Sequence, residues 1–136
     1  MTKIVFACVG NAGRSQMATA YAERERDRRG LDVELVTGGT EPKESISEDA
    51  LEALEEDGLD VGGRTPRRIT SDDVVDAETV VTMGCSASEF VPEDWGGEVR
   101  IWSLESHGGG IEATREQRDE IERRVTALFD DLERTA

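Results

Sequence analysis

Apolar positions fall into two alternating periods along the chain. Lys3-Ile4-Val5-Phe6-Ala7 is a short apolar run soon followed by glycines, the pattern of a strand buried on both faces. From Ser15 to Arg28 the period lengthens: Met17, Ala18, Tyr21 and Ala22 form one stripe at helical spacing, and Gly30 sits just past its end as a stop. Val33 to Thr37 predicts a second strand, ended by Gly38-Gly39. Ser47 is placed to cap a helix through Ala50, Leu51, Ala53 and Leu54 that closes at Gly58, and Ser71 to cap a shorter one through Val74 and Val75. Thr79 to Met83 is β-branched and apolar, a third strand, and Val99 to Trp102 a fourth. Ile121, Val125, Leu128, Phe129 and Leu132 define a last helix. Strands alternating with helices predict an α/β fold: a small parallel sheet with helices on both faces. No repeat, low-complexity tract or linker divides the pattern, so residues 1–136 are expected to form one domain.

Composition narrows the function. Hydrophobic residues make up 36% of the 136 but aromatics only 4%, so the core must be built from small aliphatics. The longest apolar run, Ile4 to Val9, is too short for a membrane-spanning helix or the apolar segment of a secretory leader, and a reducing cytoplasm is the expected setting. Two distant cysteines exclude a disulfide scaffold and a multi-cysteine zinc module, and no metal site is expected. In a reducing compartment such thiols are reactive or buried rather than bridged. Thirty-one acids against sixteen bases give a net charge of −15, which repels nucleic acid and anionic membrane alike. Because the apolar pattern is periodic, this charge reads as the acid coat of a folded domain, as in proteins kept soluble in concentrated salt, rather than as disorder. The bases are almost all arginine; Lys3 and Lys43 are the two lysines.

In parallel sheets ligands bind beyond the carboxyl ends of the strands. The first strand delivers Cys8-Val9-Gly10-Asn11-Ala12-Gly13-Arg14-Ser15 to that position. Gly10, Gly13 and Asn11 tolerate the positive φ angles of a tight loop, and small residues let successive N–H groups from Val9 to Gly13 converge. The helix that follows aims its free N–H groups and positive dipole end at the same point. Such a loop is a cradle for a tetrahedral oxyanion. Cys8 would lie at its floor, where the helix terminus and Arg14 favour the thiolate. Arg14 can clamp two oxyanion oxygens with its planar fork, and Ser15 can offer its hydroxyl to the departing sulfur. A cysteine after a buried strand is often a small hydrophobe and Arg14 an ordinary first-turn residue. The conjunction of strand, cysteine, glycines, arginine, serine and helix favours the chemical reading.

At these residues the chain resembles the low-molecular-weight protein tyrosine phosphatase superfamily, whose phosphate loop is C-x5-R-S after the first strand. Arg14-Ser15-Gln16-Met17-Ala18, Gly39-Thr40-Glu41-Pro42, Val81-Thr82-Met83-Gly84-Cys85 and Arg118-Asp119-Glu120-Ile121 are similar to segments of its arsenate reductase branch, the last as a helix start. The resemblance implies a four-stranded parallel sheet in order 2-1-3-4. It also implies in-line attack by Cys8 on arsenic or phosphorus, with the intermediate held by the loop amides and Arg14.

Two departures stand out. The family places a general acid, as Asp-Pro, in a late loop; here Ser106 and His107 occupy those positions. Glu105 or His107 is a candidate proton donor, and a solvated loop without a role is the alternative for both. The reductase pattern also relays oxidation through further cysteines. Cys85 matches the first, but Val91 stands before Pro92 where the second is expected. The resemblance then implies at most a Cys8–Cys85 disulfide, reopened by an external thiol reductant, either a small thiol or a thioredoxin-like protein, with no bound cofactor. Cys85 as a buried structural thiol is the alternative.

The remaining charged clusters read as structural. Arg24, Arg26, Arg28 and Arg29 among acids suggest a solvated helix face, and Arg64, Arg67 and Arg68 suggest salt bridges to the acid coat. Trp95 and Trp102 are expected in packing roles. Three functions compete: an arsenate reductase, a phosphatase acting on phosphotyrosine, and an oxyanion-binding or redox-sensing module. The small Val9 and Ala12 and the missing acid weigh against the phosphatase. The acid coat makes a prediction of its own. Urea unfolding midpoints should rise from dilute buffer to molar KCl, where self-repulsion is screened; equal midpoints would remove the salt-adapted reading.

Overall fold

The computed structural model describes residues 2–104 and 109–135. Four parallel strands form one sheet: β1 (Thr2–Cys8), β2 (Val33–Gly39), β3 (Thr79–Met83) and β4 (Glu98–Ile101), in the order β2-β1-β3-β4. Helices α1 (Arg14–Arg29), α2 (Glu48–Glu56), α3 (Ser71–Val74) and α4 (Ile111–Thr135) connect and cover them. This is the 2-1-3-4 order the resemblance implied.

Side chains alternate across the central strand β1 and divide the core in two. Ile4, Phe6 and Cys8 face α1, α2 and α4, where Met17, Tyr21, Leu54, Ile121, Val125, Leu128 and Phe129 are fully buried or nearly so. Val5 and Ala7 face a smaller cluster with Val80, Val74, Ile69 and Phe90. Trp102 packs on Phe6 with ring centroids 6.0 Å apart, and Trp95 donates its indole N–H to the Ala77 carbonyl, so both tryptophans serve packing.

Several elements differ from their sequence reading. β2 does not stop before Gly38-Gly39 but runs through them, pairing them with Ala7 and Cys8. A side chain would not fit there: a Cβ on Gly38 would lie 2.9 Å from Ile69 backbone atoms, and one on Gly39 would lie 2.4 Å from the Val9 carbonyl oxygen. β4 is Glu98–Ile101, one residue earlier than expected. Thr70, not Ser71, caps α3 through a capping box with Asp73, while the Ser71 hydroxyl donates to the Phe90 carbonyl (2.8 Å). Arg118-Asp119-Glu120-Ile121 lies inside α4 rather than at its start, because the polar segment from Ile111 is helical too.

The arginines of α1 are not merely solvated. Arg24 pairs with Glu122 (2.5 Å), and Arg29 with Asp130 (2.9 Å) and Glu133 (2.6 Å), all on α4. Arg64 pairs with Glu23 and Arg67 with Asp73, as expected, whereas Arg68 donates to the Thr40 carbonyl. A further cross-helix cluster joins α2 to α4: Glu56 accepts from Arg115 (2.7 Å) and Arg118 (2.7 Å). Those hydrogen bonds, from Arg115 first and then Arg118, hold the Glu56 carboxyl down at about 2 from an ordinary 4.5. A carboxyl held below its ordinary value in the folded state makes stability depend on pH. The stabilisation is complete above the ordinary value and is lost as pH falls from there toward 2. Glu56→Gln should lower stability at neutral pH, and the gap to wild type should close on acidification, read as unfolding midpoints from pH 7 to pH 2. A gap that stays constant would contradict the assignment.

Candidate active site

β1 ends at Cys8 and α1 begins at Arg14, with residues 9–13 between them. The segment after β2 grips this loop from outside, backbone to backbone. Thr40 N–H donates to the Cys8 carbonyl (3.2 Å), Glu41 N–H to Val9 (2.8 Å), Lys43 N–H to Gly10 (3.0 Å) and Ser47 N–H to Ala12 (2.8 Å). A trans peptide points its C=O and the next residue's N–H in opposite directions, and no cis peptide occurs among the described residues. Four carbonyls tied outward therefore turn the N–H groups of Val9, Gly10, Asn11 and Gly13 inward. The Asn11 N–H reaches the Cys8 Sγ at 3.2 Å. The N–H groups of Gly10, Ala12 and Gly13 find no acceptor among the described residues. The free N–H groups of the first turn of α1 lie at the same end. The result is a cleft of about 340 Å³ lined by Cys8, Val9, Gly10, Ala12, Gly13, Arg14, Lys43, Ser47 and Gln117.

Asn11 organises the interior of the loop. It is fully buried, with φ at 50°, the left-handed region that asparagine tolerates. Arg67 N–H donates to its Oδ1 (3.0 Å), which fixes the amide's orientation. Its Nδ2 then donates to Ser15 Oγ (2.7 Å) and Thr37 Oγ1 (2.9 Å). Ser15 Oγ is occupied as an acceptor, so its own proton is free for the Cys8 Sγ, 3.0 Å away. Thr37 passes its proton to the Phe6 carbonyl (3.0 Å), and Gln16 Nε2 braces Asn11 at its carbonyl (3.2 Å) and Oδ1 (3.1 Å). The Cys8 sulfur thus receives donors from Ser15 and from the Asn11 backbone, an arrangement suited to a sulfur anion.

Arg14 depends on a glycine that its sequence neighbourhood does not reveal. Gly84 follows β3 with φ at +87°, and a Cβ there would lie 2.6–3.1 Å from the Arg14 guanidinium. The guanidinium rests against Gly84, and any side chain would displace it. Cys85 comes next. The register sets Met83 beside Cys8, so Cys85 is two residues past the partner of the first cysteine. It is half-buried against the Val5 and Ala7 side of the core and does not line the cleft. Burial first, then the charge of a neighbouring Cys8 thiolate, pushes the Cys85 thiol up, so it is held protonated at neutral pH.

Of the residues singled out in the sequence, Cys8, Val9, Gly10, Ala12, Gly13 and Arg14 line one cleft, with Asn11 and Ser15 buried beneath it. Glu105, Ser106 and His107 lie outside the described residues. The sequence reading missed the Thr40–Ser47 clamp, Thr37, Gln16, Gly84, Lys43 and Gln117. No group of histidine, cysteine or carboxylate side chains among the described residues is arranged to hold a metal ion. No described helix is long and apolar enough to cross a membrane.

Fold and site describe an α/β protein that carries a cysteine-headed loop of inward-turned amides between its first strand and first helix. The family model of the low molecular weight phosphotyrosine protein phosphatases matches residues 3–136, and the chain belongs to that family. It is 48% identical over 134 residues, 96% of this chain and 93% of the other, to a Halobacterium salinarum protein provisionally named an arsenate reductase. The thioredoxin-dependent arsenate reductase of Corynebacterium glutamicum superimposes with a TM-score of 0.83 at 29% identity, covering all of this chain and 64% of that one. A low molecular weight protein tyrosine phosphatase from Bacillus subtilis superimposes with a TM-score of 0.82 at 26% identity, over 98% of both chains.

The contact between Arg14 and Gly84 predicts a clear phenotype. Gly84→Ala should weaken inorganic phosphate binding about tenfold or more, the scale of a lost hydrogen bond to a charged group, while the chain stays folded. Calorimetric titration beside a melting curve would check it. Unchanged affinity would mean that Arg14 does not need that glycine.

Proposed function

We propose that this protein is an arsenate reductase in which Cys8 is the nucleophile and Cys85 the resolving thiol. The observation that carries the reading is that both cysteines lie at one end of the sheet, Cys8 beside Met83 in the strand register and Cys85 two residues further on, past the turn at Gly84. The Halobacterium salinarum relative provisionally named an arsenate reductase and the Corynebacterium glutamicum arsenate reductase that shares the fold support it. The loop amides and Arg14 bind three oxygens of arsenate. The Cys8 thiolate attacks arsenic in line, an S–As bond forms, and one oxygen leaves as water after taking up protons. Attack consumes the Cys8 charge, which removes one of the causes that raise the Cys85 thiol, while burial, the larger one, remains. Cys85 gives its proton to water, and the thiolate attacks the Cys8 sulfur. An S–S bond forms, the S–As bond breaks, and its electron pair goes to arsenic, which leaves as arsenite. An external dithiol or two monothiols return two electrons and reopen the disulfide. Ser15 offers its proton to the Cys8 sulfur as that sulfur regains charge.

The family's other chemistry, hydrolysis of a phosphate monoester, uses the same cradle but leans on a proton donor for the leaving phenol. Its candidates, Glu105 and His107, lie outside the described residues. Variants separate the two. Cys8→Ser should abolish both activities. Cys85→Ser should bind phosphate as wild type does, yet lose thiol-dependent arsenite release by about a hundredfold or more, on the scale of removing a reacting group. Arsenite release indifferent to Cys85→Ser would defeat the resolving role. Steady aryl-phosphate turnover without arsenite release would replace the reductase by the phosphatase.

A further inference from the structure

In a chain with nearly twice as many acids as bases, a basic side chain without an acidic partner is uncommon. Twelve of the sixteen Lys and Arg side chains make ion pairs with carboxylates. Among the described residues Arg14, Arg28, Lys43 and Arg68 make none. Arg68 is spent on the Thr40 carbonyl, and Arg28 is exposed near the far end of α1. The other two, Arg14 and Lys43, both line the Cys8 cleft.

Lys43 is held there in two independent ways. Its backbone N–H donates to the Gly10 carbonyl (3.0 Å), one of the four bonds that shape the loop. Its side-chain stem lies over Gly10: a Cβ on that glycine would be 3.3–3.4 Å from Lys43 Cγ, Cδ and Cε. The stem is thus laid across the loop, Lys43 lines the cleft, and the glycine leaves room for the stem.

We propose that Lys43 is a second cation of the oxyanion site, paired with the outermost oxygen of a free inorganic oxyanion. This rests on the reading in which Cys8 attacks from the loop floor. In-line attack leaves the oxygen opposite the sulfur pointing outward, away from the loop amides. In arsenate that oxygen carries charge and is met by an ammonium. In an aryl ester the same oxygen carries a ring, which must pass the Lys43 stem and gains nothing from its charge. Arg14 holds oxygens inside the cradle; Lys43 selects for a substrate whose outer oxygen is bare. The site therefore favours inorganic arsenate and phosphate over aryl phosphates.

Lys43→Met tests this, because it keeps a stem over Gly10, removes the charge and leaves the backbone bond intact. The probe is Cys8 alkylation, mapped by peptide mass, with anionic iodoacetate and neutral iodoacetamide at low salt. The iodoacetate-to-iodoacetamide rate ratio at Cys8 should fall about three- to tenfold in Lys43→Met, and Lys43→Arg should restore it. The KM for arsenate should rise by a similar factor. Circular dichroism shows whether each variant is folded, and Lys43→Gln serves if methionine perturbs the loop. An unchanged ratio in a folded variant overturns the assignment, whatever the turnover. A falling ratio in a protein that releases no arsenite with added thiol sinks the reductase reading and leaves Lys43 as a cation of the site.

Discussion

Four backbone hydrogen bonds carry the rest of the structure. They run from Thr40, Glu41, Lys43 and Ser47 to the carbonyls of Cys8, Val9, Gly10 and Ala12. Peptide geometry converts each outward carbonyl into an inward N–H. Without that clamp, five small residues between a strand and a helix would have no reason to present their amides to one point. With it, the loop's own donors are preorganised, and little reorganisation is needed when an anion binds or develops charge.

The glycines at the end of β2 and the buried Asn11 make the clamp possible. Gly39 lets the second strand pass so close to Val9 and Asn11 that a methyl group would collide with them. Asn11 uses both ends of its amide, so the buried polar group is satisfied and a proton chain is directed at one sulfur. The site thus links three layers. A close strand approach permits the clamp, the clamp turns the amides, and the amides together with Ser15 provide for a sulfur anion.

Much of this was legible in the sequence, and the limits have physical causes. The change from a continuous apolar run to a period-3.6 stripe across Cys8–Ser15 located the loop, because a strand buried on both faces and a helix buried on one leave different patterns. The clamp was not legible: its bonds join main chain to main chain, and the side chains of Thr40–Ser47 carry no mark of them. Gly38 and Gly39 looked like terminators because their reason, contact with Ile69 and Val9, arises only once distant segments meet. Gly84 was hidden for the same cause, since its crowding neighbour is Arg14. The early start of α4 escaped because residues 111–120 are mostly polar, and their helix is secured by the Arg115 and Arg118 pairs with Glu56 rather than by an apolar stripe. The α1 arginines read as solvent-facing because their partners are about a hundred residues away.

Relatives of this chain are named arsenate reductases and phosphatases, and the reductase reading proposed above differs from the phosphatase in calling on Cys85. Both chemistries require the inward amides to bind an anion. Titration of the amide-labelled protein with inorganic phosphate, followed by nitrogen–proton correlation spectra, tests that claim directly. The Gly10 and Gly13 signals, with those of the first turn of α1, should shift together along one saturation curve, while Thr40, Glu41, Lys43 and Ser47 stay protected from hydrogen exchange. Saturable phosphate binding that leaves the Gly10 and Gly13 amides unmoved would contradict it.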